Sequence, residues 1–337
     1  MTGRVQWLDG ARGVAIVMIV IHHAVILLAP LGPVHHDYVV VRDLLATFPM
    51  PLFFLVSGVL SRSALAGPWS HLWRYRLAPL LWLYVVWTLV RFAWFSLVPL
   101  ATRPDETDLV RLLVSPIWPT SGLWYLHALA VVLVLTKLMA GRVPVAVQLV
   151  GATVVSAAFF GPLDSGSIGY EGVAHYLLFF LVGAHFGPRI VRAVEDSTRA
   201  APVVAVVVFT GAVVVVRLFV LQWLPVVPVV LSALAVAAGL FVLRHAPRLT
   251  SALRLDVLGR LTLVVYVTHF ILLSAMTSLL ALALGPFGGA DTHRVLAVVA
   301  LPVMVTLAVA GSVAIGALVR RTPLESVYRL PVRRAPV

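Results

Sequence analysis

Residues 7–25 read WLDGARGVAIVMIVIHHAV: Arg12 stands at the mouth of an apolar run, and His22 and His23 stand deep inside it. Such a run is long enough to cross a bilayer as a helix, and apolar segments of about 20 residues recur from end to end of the chain. Of the 337 residues 61% are hydrophobic and 11% charged, whereas a soluble domain carries about 25% charged residues. The fold class is therefore an all-α, polytopic membrane helical bundle, a single domain over 1–337. The first run exceeds the apolar core of a signal peptide and lacks a small-residue cleavage site, so it is read as a retained span.

Ten spans are expected, at about 12–31, 43–61, 77–99, 123–140, 143–161, 173–188, 201–219, 223–243, 259–284 and 295–319, followed by a basic tail. Proline and glycine punctuate their ends: Pro30-Leu-Gly-Pro33, Gly67-Pro68, Gly161-Pro162, Gly187-Pro188 and Gly285-Pro286. The span at 223–243 starts inside Gln222-Trp-Leu-Pro-Val-Val-Pro228, which implies irregular backbone at its entry. With the N-terminus cytoplasmic, 19 basic residues fall on the cytoplasmic side, and only Arg42, Arg103, Arg111 and Arg294 fall outside. That asymmetry places both termini inside. It also accounts for the net charge of +12 without a nucleic-acid partner, because the basic residues stand singly between apolar segments.

Ionisable groups within spans are costly, so each is a candidate for function. Arg12 and His23 are eleven residues apart, roughly 1100° of helix and about 16 Å of rise, which puts both on one face. His22 points about 100° away. Asp9 is placed to pair with Arg12 across three residues. The alternative is a snorkelling arginine with packed histidines. The ninth span carries Tyr266 and His269 on a common face, as ligands or as a core pair tied to a neighbouring helix. Arg91 lies about 15 residues into the third span, either lining a cavity or snorkelling to the far interface. Arg74 and Arg76 precede that span, a phosphate clamp or ordinary positive-inside charge.

Cysteine is absent, which excludes a catalytic thiol and thiolate metal sites. No Gly-x-Ser-x-Gly elbow, His-Glu-x-x-His, Walker A or Gly-x-Gly-x-x-Gly pattern occurs, so hydrolase, zinc-protease and nucleotide-driven readings have no support and no metal ligands are assigned. Intramembrane histidines without thiols point instead to proton handling by imidazole.

Several stretches together resemble the acyltransferase 3 family of integral membrane O-acyltransferases, in the branch typified by fucose 4-O-acetylase-like proteins. They are Leu8-Asp-Gly-Ala-Arg-Gly leading to His23, Phe48-Pro-Met-Pro-Leu-Phe-Phe-Leu-Val-Ser-Gly58, Arg74-Tyr-Arg76 before Pro79, Gly122-Leu-Trp-Tyr-Leu126, Phe179-Phe-Leu-Val-Gly183, and Leu258-Gly-Arg-Leu through Tyr266 and His269. The resemblance implies transfer of an acyl group, usually acetyl, from cytoplasmic acyl-CoA to a hydroxyl on a cell-envelope glycan or glycolipid, at the inner membrane. Acyl-CoA is then a donor substrate rather than a resident cofactor. The site implied has His23 as base with His269 and Tyr266 beside it. Arg12, Arg74 and Arg76 would hold the donor, and Arg91, Ser57 and Trp124 the acceptor. A proton-coupled transporter or lipid flippase using the same histidines is the alternative, and a purely structural membrane partner a third.

Overall fold

The computed structural model describes residues 6–29, 47–98, 104–119, 121–284 and 290–330. Expected features at 30–46, 99–103, 285–289 and 331–337 lie outside the described residues, among them the Pro30 and Gly285 stops, Arg42, Arg103, Arg333 and Arg334. Within the described residues there is no strand, and ten apolar helices dominate. They are α1 (Gln6–Leu28), α2 (Pro49–Ala66), α3 (Trp69–Leu97), α4 (Trp124–Met139), α5 (Val145–Phe159), α6 (Ile168–Glu195), α7 (Ala201–Leu218), α8 (Val227–His245), α9 (Thr262–Leu284) and α10 (Ala290–Val319). Eight of them are long and apolar enough to cross a membrane; α4 and α5, of 16 and 15 residues, are the shorter pair.

The helices fall on the ten expected segments, with shifted ends where prolines were read as stops. α3 begins at Trp69 rather than 77 because the chain stays helical through a π-turn, Trp73–Leu77. Pro79 has no N–H, and its ring crowds the carbonyl four residues back. The wide turn, in which the Ala78 N–H reaches the Trp73 carbonyl, absorbs that conflict. α6 likewise runs through Pro188 to Glu195, one lost ladder bond being tolerable in a long helix. A 3₁₀ turn, Leu221–Trp223, precedes α8, so its entry is irregular as the sequence implies.

α1 is central, packing on α2, α8, α9 and α10, while α6 packs on α2, α4 and α5. α7 lies along α8 with none of its residues buried, an exterior apolar but for Thr210 and, in its last turn, Arg217, and so suited to lipid. Two crossings fix the frame, each through a pair of glycines. A Cβ on Gly13 would collide with the Leu255 carbonyl, and one on Gly259 with the Asp9 carbonyl, so α1 lies backbone to backbone on the short helix Leu255–Arg260. A Cβ on Gly58 would likewise strike the Phe180 carbonyl, and one on Gly183 the Leu55 carbonyl, locking α2 to α6. Small residues at such crossings let helices approach where dispersion contacts must supply the cohesion.

Candidate functional site

A cavity of about 540 Å³ opens between α1, α2, α3, α4 and α9. One end carries Arg12, Arg74, Arg76 and Arg329. Farther in, the walls are Ile16 and Ile19 of α1, Phe53 and Ser57 of α2, Tyr125 and Leu129 of α4, and Tyr266 of α9. The arrangement is an apolar tube with cationic groups at one end, fit for a ligand with an anionic head and an uncharged arm.

His23 and His269 stand one helical turn beyond the deepest residues of that lining. Ile19 to His23 is four residues on α1, and Tyr266 to His269 is three on α9, about 6 and 4.5 Å of rise. The two imidazoles meet, with His23 Nδ1 and His269 Nε2 2.9 Å apart. The two rings were expected to line one cavity; they touch each other, and neither belongs to the lining itself.

Hydrogen-bond chemistry assigns the protons in the neutral pair. His269 Nδ1 lies 2.8 Å from the Val265 carbonyl, which can only accept, so Nδ1 carries the hydrogen. Its Nε2 is then the acceptor, and His23 Nδ1 must donate to it. Neutral His23 therefore has its lone pair on Nε2. His269 is 2% exposed and His23 half-buried, and the Phe270 ring packs on the edge of His23 at 5.2 Å between centroids. The His22 ring lies 5.5 Å from that of His23, outside the bonded pair.

The cationic end is built from partners as well as charges. Arg12 donates to Thr262 Oγ1 at 2.8 Å and stands 3.5 Å from Asp9, the i,i+3 pairing its spacing implies. Arg76 donates to the Leu60 carbonyl, and Arg74 is exposed. The π-turn carries both arginines to the cavity.

Three expected contacts fall elsewhere. Tyr266 lines the cavity, but its hydroxyl donates to the Gly122 carbonyl at 2.9 Å and accepts from the Tyr125 N–H at 3.3 Å. It ties α9 to the start of α4. Arg91 neither snorkels nor lines this cavity. It is 1% exposed and forms a two-pronged ion pair with Glu106, both bonds 2.6 Å, with its guanidinium 4.7 Å from the Phe270 ring centroid. Removing one partner of so buried a pair costs about 3–5 kcal/mol, which makes Arg91 part of the frame behind the histidines. Trp124 packs over Gly172 in one aromatic cluster with Phe54 and Tyr176, whose own rings are 5.2 Å apart, and it lies off the cavity. Ser57 does line it, 2.9 Å from the Tyr125 hydroxyl.

Reasoning from sequence missed Tyr125, Glu106 and the C-terminal residues Tyr328–Leu330 that line the cavity. Tyr125 adjoins Trp124 in Gly122-Leu-Trp-Tyr-Leu126, so the signal was present and fell on the wrong ring. Glu106 is one of three acids in 105–108, and nothing in the sequence singles it out. Burial pushes the Tyr328 phenol up to about 12, so it lines the cavity uncharged.

A membrane helical bundle with an imidazole pair one helical turn beyond a cavity that carries arginines at one end is the class defined so far. The chain belongs to the Acyl_transf_3 family, described as an acyltransferase domain, whose model matches residues 5–319. It is similar to the inner membrane protein YcfT of Escherichia coli (strain K12), 26% identical over 293 residues that span 79% of each chain. No solved structure matches. Family membership makes acyl transfer the chemistry to be explained.

Proposed function

We propose that the protein is an O-acyltransferase of the inner membrane, related to the fucose 4-O-acetylase-like branch. It would move an acetyl or other acyl group from cytoplasmic acyl-CoA to a hydroxyl of a cell-envelope glycan, glycolipid or related acceptor. Both termini and the arginine end of the cavity face the cytoplasm in this reading, as the charge asymmetry favours. The observation that carries it is the position of the histidine pair one turn past the end of a cavity whose mouth holds arginines. The phosphates of CoA suit guanidinium groups. The uncharged pantetheine arm suits the apolar walls, and its reach is comparable to the roughly 16 Å of α1 between Arg12 and His23.

The step follows from the tautomers. His23 Nε2 takes the proton of the acceptor hydroxyl as its oxygen attacks the thioester carbonyl. The carbon–sulfur bond then breaks, and the departing thiolate receives that proton from the imidazolium, leaving the ester and free CoA. His269 accepts from His23 Nδ1–H and is itself anchored on Val265, so it orients the base and stabilises its charged form.

The chain lacks cysteine, so a thiol reagent added to the purified protein reads released CoA alone. Acetyl-CoA with a panel of sugar and glycolipid acceptors is expected to give acceptor-dependent thiol release and an acylated product. Absence of release with every acceptor in the panel, together with no binding of acetyl-CoA, would sink the reading.

A further inference from the structure

We propose that the C-terminal segment Pro323–Leu330 is a wall of the donor pocket, and that Arg329 is a phosphate ligand held by Glu325 until the donor arrives. The proposal deepens the donor reading above and rests on it.

The segment lies beyond α10, and it is strapped back across the bundle onto α3. Its 3₁₀ turn, Pro323–Val327, is opened by Thr322, whose hydroxyl accepts from the Leu324 N–H at 3.3 Å. Two indoles of α3 then pin its backbone. Trp82 Nε1 donates to the Ser326 carbonyl at 2.7 Å, and Trp87 Nε1 to the Val327 carbonyl at 3.0 Å. The Tyr328 ring packs on Trp87 with centroids 5.3 Å apart. Bonds from tryptophan to successive carbonyls hold a strap's path while leaving its side chains available.

Those side chains are turned to use. Tyr328, Arg329 and Leu330 line the same cavity as Arg12, Arg74 and Arg76. Tyr328 and Leu330 continue the apolar wall, and Arg329 adds a guanidinium at the cationic end. Arg12 is already engaged by Thr262 and by Asp9, with its side chain 21% exposed, and Arg76 by the Leu60 carbonyl. Arg329 is far more exposed. Its Nη1 lies 3.0 Å from Glu325 Oε1, one turn back on the strap, with the two side chains 67% and 44% exposed. An exposed pair of this spacing is weak and readily exchanged. A phosphate group offers more charge and a forked acceptor for the same guanidinium, so a nucleotide-bearing thioester can displace the carboxylate. Glu325 keeps the arginine placed without committing it, and its negative charge opposes binding of the anion.

The test is equilibrium binding of CoA and of pantetheine, which shares the arm and lacks every phosphate, to the full-length protein in detergent. Arg329→Ala is expected to weaken CoA about tenfold and to shrink the preference for CoA over pantetheine by the same factor. Glu325→Gln removes the competing carboxylate and is expected to tighten CoA about two- to threefold, an effect that loss of structure does not mimic. Unchanged CoA affinity in both variants overturns the proposal. Equal weakening of CoA and pantetheine in Arg329→Ala overturns the phosphate assignment. Wild-type protein that binds neither compound overturns the donor reading itself, an outcome distinct from wild type binding CoA and Arg329→Ala binding it as well.

Discussion

At the scale of the residue, the decisive choice is between two adjacent histidines. Helical phase assigns it: His23 shares a face with Arg12, and it is His23 that bonds His269. His23→Ala is expected to lower acyl transfer by about 10²–10⁴-fold with the thermal midpoint retained, whereas His22→Ala changes it by less than about threefold. His269→Ala should fall between, about ten- to a hundredfold, because it leaves the base present but misoriented. Turnover measured with saturating acetyl-CoA decides the order, and a larger loss in His22→Ala would reverse the assignment of the base. The sequence put His23 on one face with Arg12, and His269 on one face with Tyr266, because rise and phase along a helix are fixed by geometry. It offered Arg91 a cavity or the far interface and missed the buried pair, because an arginine inside a span is read as buried only once a carboxylate is known to meet it. Glu106 comes from a single helical turn, Pro104–Thr107, between α3 and α4, fifteen residues on, and no periodicity reports it.

At the scale of the element, the segments that stand out in the sequence are explained by contact between backbones as much as by chemistry. Gly13 and Gly259 interlock one crossing, and Gly58 and Gly183 the other. Gly58→Ala and Gly183→Ala are each expected to cost about 1–3 kcal/mol, because the added methyl meets a carbonyl that cannot move without parting the helices. Gly151→Ala and Gly211→Ala face open space within α5 and α7 and should be neutral or gain up to about 1 kcal/mol of helix propensity. Thermal unfolding of the four variants in one detergent separates the two groups; equal midpoints would remove the crossings as the frame. The helices themselves were legible because twenty apolar residues admit few other outcomes in a bilayer. Their ends were less so. Pro79 and Pro188 signal a conflict with the ladder, but a π-turn or one forfeited bond can resolve it as well as a stop can.

At the scale of the whole molecule, the charge asymmetry favours one orientation, and the absence of cysteine makes it directly measurable. A cysteine at Ser165, between α5 and α6, is expected to react with a membrane-impermeant maleimide in intact cells. One at Ser197, between α6 and α7, should react only after permeabilisation. The opposite pattern would invert the protein and put the arginine mouth on the wrong side for a cytoplasmic donor. The central place of α1 also has a consequence in time. Its bonded partner His269 lies 246 residues downstream, and the glycine crossing at Leu255 and Gly259 is almost as distant. At about 5–20 residues per second, synthesis separates the two histidines by roughly 12–50 s. For that interval α1 exists without the helices that complete its packing, and a nascent chain short of α9 has His23 without its bonded partner. The imidazole contact is among the last parts of the protein to come into being.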